Sequence, residues 1–249
     1  SNFIHYMLEE YSNYKIVNYD VLTYAGNLDN LKGVQEHPNY TFIQGNITNR
    51  ELVEYIVEQY DINIIINFAA ESHVDRSIIK PDVFVQSNVL GTQVLLNVAK
   101  KKNVSKYIQI STDEVYGTLG EKGYFSEETP ISPNSPYSAS KAAADMIVQS
   151  YFKTYGMDVN ITRCSNNYGP YQFPEKLIPL MIINALQGKV LPIYGDGQNI
   201  RDWLHVNDHC AAIDLIIHKG RPGEVYNIGG NNERTNNEIV ELIVQKLGV

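Results

Sequence analysis

The stretch that decides the fold is Ile62-Asn-Ile-Ile-Ile-Asn-Phe-Ala69. From Ile64 to Ala69 it is nearly continuous in apolar residues and rich in β-branched ones, as expected of a strand covered on both faces. Such strands belong to parallel sheets, so helices are expected on either side. Helical periodicity runs over Arg50–Tyr60 before the stretch and Asp82–Lys102 after it. The alternation continues outward. Strand-like runs occupy Lys15–Tyr19, Tyr40–Gln44, Lys106–Ser111 and Asp158–Thr162. Further helical patterns cover Asn2–Tyr11, with an apolar stripe of Phe3, Ile4, Met7, Leu8 and Tyr11, and Ser138–Tyr155. This order predicts an α/β protein with a doubly wound parallel sheet and ligands at the carboxyl ends of its strands.

After about residue 165 the texture changes. Pro170, Pro174, Pro179 and Pro192 punctuate a region rich in Gly and Tyr, with shorter helical runs at Leu177–Gln187, Asp208–His218 and Asn237–Leu247. We expect residues 1–165 to form a nucleotide-binding domain and 166–249 a smaller C-terminal α/β domain built onto it. A doubly wound nucleotide-binding fold opens with a strand and a G-x-G-x-x-G type turn. Here the sequence opens on Ser1-Asn2-Phe3-Ile4, already helical, so the expectation is a fragment or an omitted leader.

Bulk properties narrow the partners. A net charge of −8 and a pI of about 5.2 repel a nucleic-acid backbone on average. No apolar run is long enough to cross a bilayer. Cys164 and Cys210 make neither a disulfide framework nor a metal motif, so the cytoplasm is the default compartment and no metal is expected.

Two patterns carry chemistry. In KYIQISTDEVYG (106–117) an apolar run gives out into Thr112, Asp113 and Glu114, a hydroxyl followed by two adjacent carboxylates. In Pro133-Asn-Ser-Pro-Tyr-Ser-Ala-Ser-Lys141, Asn134 or Ser135 can cap a helix that has Pro136 in its first turn. Tyr137 and Lys141 are then i and i+4 on one face. A phenol ordinarily near 10 is a poor base, but a nearby ammonium, the helix terminus and a cationic nicotinamide ring would each favour its phenolate. Such a group suits removal of a proton from a sugar hydroxyl while hydride leaves the same carbon. Asp20 closes the strand KIVNYD, where an acid can hold both ribose hydroxyls of an adenosine and repel a 2′-phosphate, favouring NAD over NADP.

Taken together these residues resemble the extended short-chain dehydrogenase/reductase superfamily, through YxxxK after the S-T strand end, N-F-A-A-E-S-H-V-D-R and N-V-x-G-T. Within it, S-T-D-E-V-Y-G resembles the pattern of the dTDP-glucose 4,6-dehydratases. The likeness extends to D-V-L-T-Y-A-G-N (20–27), R-C-S-N-N-Y-G-P-Y-Q-F-P-E-K-L-I-P (163–179), P-I-Y-G-D-G-x-N-x-R-D-W-L-H-V-x-D (192–208) and Y-N-I-G-G (226–230). The resemblance implies a Rossmann-like fold, bound NAD and a homodimer formed through the helices at 82–102 and 138–155, although their apolar faces could equally be intramolecular. It also implies a redox-neutral cycle. Tyr137, helped by Lys141 and Thr112, takes the O4 proton as hydride passes from C4 to NAD; Glu114 removes the C5 proton, and Asp113 protonates the departing O6 hydroxyl. Hydride then returns to C6 and a proton to C5, giving dTDP-4-keto-6-deoxyglucose for deoxysugar biosynthesis such as the rhamnose pathway.

By the same resemblance Asp20, Val21, Leu22 and Thr23 line the adenosine ribose, and Asn46 and Ile47 lie beside the adenine. Family members usually carry Asp in place of Asn46. Its amide oxygen can still accept from the adenine amine. Phe68, Ala69, Ala70, Glu71, Ser72 and Ser87 border the pyrophosphate and nicotinamide ribose, with Tyr137, Lys141 and Asn167 also on the cofactor. Ser72, Thr112 and Asn166 face the sugar. Glu175, Lys176 and Leu177 wrap the nucleotide with Pro192, Ile193 and Tyr194, while Arg201 and Asn236 reach the diphosphate or nucleoside. Arg201 suits a bidentate phosphate clamp. His73, His205 and His209 read as structural, and Trp203 as core. Two other readings compete: a related NAD-dependent epimerase or decarboxylase sharing Tyr137 and Lys141, and a non-catalytic nucleotide-binding module suggested by the missing glycine turn.

Overall fold

The structure is a computed structural model and describes residues 1–120 and 123–248. The first half alternates as its sequence requires: α1 (Asn2–Glu10), β1 (Ile16–Asp20), β2 (Tyr40–Gln44), α2 (Arg50–Gln59) and β3 (Ile64–Asn67). Then come α3 (Val74–Ile79) and α4 (Pro81–Phe84), a π-helical turn at Val85–Gly91, α5 (Thr92–Lys101) and β4 (Lys106–Thr112). A 3₁₀ turn, Asp113–Tyr116, follows β4, and the long α6 (Pro136–Tyr155) and β5 (Val159–Cys164) come after it. The remainder runs β6 (Asn166–Tyr168), α7 (Leu177–Leu186), β7 (Ile200–His205), α8 (Val206–Lys219), β8 (Val225–Ile228), β9 (Glu233–Thr235) and α9 (Asn236–Leu247).

Three sheets result. β3, β4, β5 and β8 pair in that order, all parallel, and β1 and β2 form a separate parallel pair. Both share one interior, since Ile16 and Ile66 pack against the same cluster of Ile108, Ile110, Ile213 and Ile217. The third sheet is β6-β7-β9, with β7 and β9 antiparallel. Segment 166–249 does not stand wholly apart: β8 pairs with β5, and Ile213, Ile216 and Ile217 of α8 fill the first sheet's core. The fully covered strand is β4, buried from Tyr107 to Thr112; β3 is exposed at Ile64 and half-buried at Ile65 and Ile66. On its other side β3 has no strand partner among the described residues.

The helix read as one unit over Asp82–Lys102 is α4, the π turn and α5. The π turn widens the spiral where Gly91 approaches Ile47: a Cβ there would lie 2.3 Å from Ile47 Cδ1. It also buries Asn88. The Asn88 amide accepts from Glu71 N (2.8 Å) and donates to Glu71 O (3.0 Å) and Ser140 Oγ (2.8 Å), tying the chain after β3 to α6.

Candidate active site

The end of β4 builds the first part of the site. Thr112 caps the 3₁₀ turn, its Oγ1 accepting from Glu114 N at 3.2 Å and donating to Asp113 Oδ1 at 3.3 Å. Gly117 then turns the chain away at φ +85, where a Cβ would stand 2.2 Å from the Ser132 carbonyl, so both carboxylates are displayed on one tight turn. Burial lifts both above the ordinary carboxylate range. Asp113 reaches about 6, through desolvation and then the neighbouring Glu114 charge. Glu114 also rises through burial, with Arg201 and Lys176 pulling it back. Asp113 is thus the better placed of the two to carry a proton.

A carboxyl whose folded value exceeds its unfolded one binds protons more readily when folded, so stability falls as pH rises from about 4 to about 6 and stays lower beyond. Asp113→Asn is therefore expected to stabilise the fold by about 1–3 kcal/mol near pH 7, with the gain vanishing below about pH 4, as read by thermal unfolding across pH.

α6 supplies the second part. Ser135 caps it in a reciprocal capping box with Ser138, and Pro136 occupies its first turn. Tyr137 is 9% exposed and Lys141 3%, and Lys141 Nζ donates to the Ile110 carbonyl at 2.6 Å. The expected preference for the phenolate is not what the protein alone produces. Burial, followed by the Glu114 charge, holds the phenol above its ordinary value. Burial also depresses Lys141, against the pull of Asp145. Desolvation outweighs the ammonium because both groups lie inside the molecule rather than at its rim.

The cofactor-side residues gather at strand ends. Asp20 is exposed at the end of β1, with Oδ1 accepting from Leu22 N (2.8 Å) and Leu22 at φ +54. Val21 and Phe68 are 38% and 45% exposed, leaving apolar surface at the carboxyl ends of β1 and β3. Thr23 is exposed, Ala69, Ala70 and Glu71 are half-buried beside exposed Ser72, and Ser87 is half-buried on the π turn. An acid at one strand end, exposed apolar side chains and small residues between them fit a dinucleotide. Two details differ from expectation. Asn46 Oδ1 already accepts from Thr48 N (3.0 Å) and Thr48 Oγ1 (2.9 Å), Nδ2 has no partner among the described residues, and Ile47 turns into the core.

On the other side Asn166 and Asn167 open β6, the latter with Oδ1 on His209 Nδ1 at 2.8 Å. Burial lowers His209 to about 4, so it is neutral. Lys176 and Leu177 are half-buried at the head of α7, and Asn236 begins α9. Arg201 is exposed on β7, in no ion pair among the described residues, and directly opposite Arg234 on β9. Pro192, Ile193 and Tyr194 are exposed, and the Tyr194 hydroxyl reaches Asp75 at 3.3 Å. Glu175 is engaged elsewhere: its Oε1 accepts from Tyr24 at 3.0 Å, and its Oε2 lies 3.8 Å from His73 Nε2. Arg76 stacks 3.5 Å from the centre of the Tyr24 ring. Tyr24 and Asn88 were not singled out by sequence reasoning. Both lie inside quoted motifs, D-V-L-T-Y-A-G-N and N-V-x-G-T, and each links two walls of the site.

A parallel sheet with a buried Tyr–Lys pair beside a strand end that carries a hydroxyl is the plan of an extended short-chain dehydrogenase/reductase. Residues 1–249 match the GDP-mannose 4,6 dehydratase family profile. Over 238 residues the chain is 52% identical to dTDP-glucose 4,6-dehydratase of Xanthomonas campestris, covering 92% of this chain and 68% of that one. The crystal structure of dTDP-glucose 4,6-dehydratase from Bacillus anthracis in complex with NAD is similar at TM-score 0.94 and 61% identity, covering 99% of this chain and 77% of that one. UDP-glucose 4-epimerase from Thermotoga maritima shares the fold at TM-score 0.91 but only 27% identity, covering 99% and 78%. The chain belongs to the dTDP-glucose 4,6-dehydratase family.

Proposed function

We propose that this protein converts dTDP-glucose to dTDP-4-keto-6-deoxyglucose with bound NAD. The observation that carries the reading is the Asp113–Glu114 pair on the turn after Thr112, with Glu114 and Asp113 both acting electrostatically on Tyr137. An epimerase or decarboxylase needs Tyr137 and Lys141 but expels no hydroxyl from C6, so it has no use for a second, protonated carboxyl. The test is incubation with dTDP-glucose and NAD. A product lighter by one water supports the reading; a C4-inverted sugar of unchanged mass overturns it.

In this reading NAD, when bound, supplies a cationic ring that opposes the raised phenol and an acceptor for the C4 hydrogen, which is later given back at C6. Tyr137 accepts the O4 proton, with Thr112 orienting that hydroxyl and Lys141 balancing the phenolate. Once C4 is a ketone, the C5 hydrogen is α to a carbonyl and acidic enough for Glu114 to remove. Asp113 gives its proton to O6, and the C6–O bond breaks to release water; a proton then returns to C5 as C6 regains the hydrogen lost from C4. Arg201 and Lys176 hold the diphosphate and draw the Glu114 carboxyl down against the rise that burial causes. Asp20 to Thr23, Asn46, Ile47, Phe68 to Ser72, Ser87 and Asn167 form the cofactor wall. Ser72, Asn166, Glu175 to Leu177, Pro192 to Tyr194 and Asn236 form the nucleotide-sugar wall, so residues 1–165 mainly bind cofactor and 166–249 mainly bind substrate.

The chain acts as a cytoplasmic homodimer feeding deoxysugar synthesis, in the rhamnose pathway or one like it. No described helix is long and apolar enough to cross a membrane, and both cysteines are free. Val85 and Leu90 on the π turn, and Met146 on α6, are 54%, 46% and 58% exposed on adjacent helices, an apolar face suited to a second copy. The solution mass should be twice the 28.2 kDa of the chain. Val85→Glu with Met146→Glu should reduce it to one chain; an unchanged dimer would place the interface elsewhere.

A further inference from the structure

One turn beyond Lys141, α6 carries a buried charge that the reaction as described does not use. Asp145 and Arg163 are 1% and 5% exposed, and Asp145 Oδ2 accepts from Arg163 Nε at 2.9 Å. Arg163 is fixed in turn: Nη1 donates to the Tyr116 hydroxyl at 2.9 Å, and that hydroxyl donates to Asn227 Oδ1 at 2.8 Å. Lys141 and Asp145 are i and i+4 on the buried face of α6.

The charge count is informative. Two cations, Lys141 and Arg163, flank one carboxylate, and an arginine does not surrender its proton. A lysine this deeply buried loses its proton unless an anion stands near. An anion that served Lys141 alone would cancel the field that Lys141 exerts on its neighbours. Arg163 resolves the conflict by occupying one carboxylate oxygen. The cluster then holds one surplus positive charge, which is balanced when the adjacent Tyr137 gives up its proton.

We propose that Asp145 and Arg163 are positioning residues for proton transfer at Tyr137, Asp145 keeping Lys141 protonated and Arg163 preventing Asp145 from neutralising it. The proposal rests on the reading of Tyr137 and Lys141 given above. The other groups facing the cluster are accounted for. Cys164 on β5 is pushed up to about 12 by burial and is neutral. Glu114 and Asp113 act on Tyr137 from the turn after β4. Lys153 lines the same cavity as Asp145 and Arg163. Burial drives the Asp145 carboxyl upward, opposed by Arg163, Ser111 and Lys141.

The test is the pH profile of kcat/KM for loss of water from dTDP-glucose. In Asp145→Asn, Lys141 loses its anion, so the high-pH limb should move down by about one pH unit or more. In Arg163→Met, Asp145 is left to Lys141 alone, so the same limb should move up by a similar amount, about one unit, while the plateau falls about 10-fold. KM should change little in either. A purely structural role would lower activity in both without moving the limbs, and shifts in the same direction or none overturn the proposal. Asp145→Asn with Arg163→Met removes both buried charges together, and serves if a single variant fails to fold. Its high-pH limb should fall like that of Asp145→Asn, and a wild-type limb contradicts the proposal. If the unmodified protein releases no water, the functional reading fails instead.

Discussion

Tyr137→Phe is expected to abolish turnover of dTDP-glucose by about 10²- to 10⁴-fold while leaving NAD binding and the fold intact. The ring stays in place because its packing, including the edge-on contact with Phe84 at 6.3 Å between centroids, does not need the hydroxyl. What is lost is the only group at the head of α6 able to accept the O4 proton. Without it no ketone forms at C4, and the C5 hydrogen never becomes acidic. The whole sequence stops at its first step, so exchange of the C5 hydrogen with solvent should be lost along with product. A variant that still exchanged C5 would place the base elsewhere.

Glu114→Gln should stop the reaction one step later. The amide has the shape of the acid, and its neighbour Asp113 is untouched, but it cannot take a proton from carbon. C4 oxidation proceeds, so reduced cofactor should accumulate, while water release falls by about 10²- to 10⁴-fold. The two variants are thus distinguished by a spectroscopic signal: absent for Tyr137→Phe, present for Glu114→Gln. Turnover of Glu114→Gln at the native rate would refute the role given to that carboxylate. Burial raises Glu114 as it raises Asp113, but Arg201 and Lys176 both oppose the rise at Glu114, which suits it to the base's part.

Why much of this was legible in sequence follows from where the signals lie. Tyr40–Gln44 is read to the residue, because a β-rich run sits between turns. α6 announces itself with Ser135, Pro136 and an apolar face, and ends at Gly156 in the left-handed region. The third sheet was not legible. β6 and β9 are three residues long, too short to show a period, and β7 (IRDWLH) mixes charge with apolar residues because one edge pairs with the short β9. The π turn hid for a different reason, since its seven residues lie inside the longer run 82–102 and are too few to show a period of their own. Among site residues, the types and spacings of Thr112, Asp113, Glu114, Tyr137 and Lys141 were readable, but their protonation was not. Burial decides that, and the sequence pattern suggested a phenolate where desolvation favours the phenol. Tyr24 and Asn88 escaped because their partners, Glu175 and Ser140, lie far away in the chain.

The account turns on a transient ketone at C4 that lets C5 lose a proton and C6 lose its oxygen. The measurement that reaches it most directly is incubation of the protein with dTDP-glucose and NAD in deuterated water, followed by mass and proton spectra of the sugar. The prediction is a 4-keto-6-deoxy product lacking one water and carrying solvent deuterium at C5. A sugar that keeps all its oxygens, or a dehydrated one whose C5 hydrogen is retained from substrate, would contradict it.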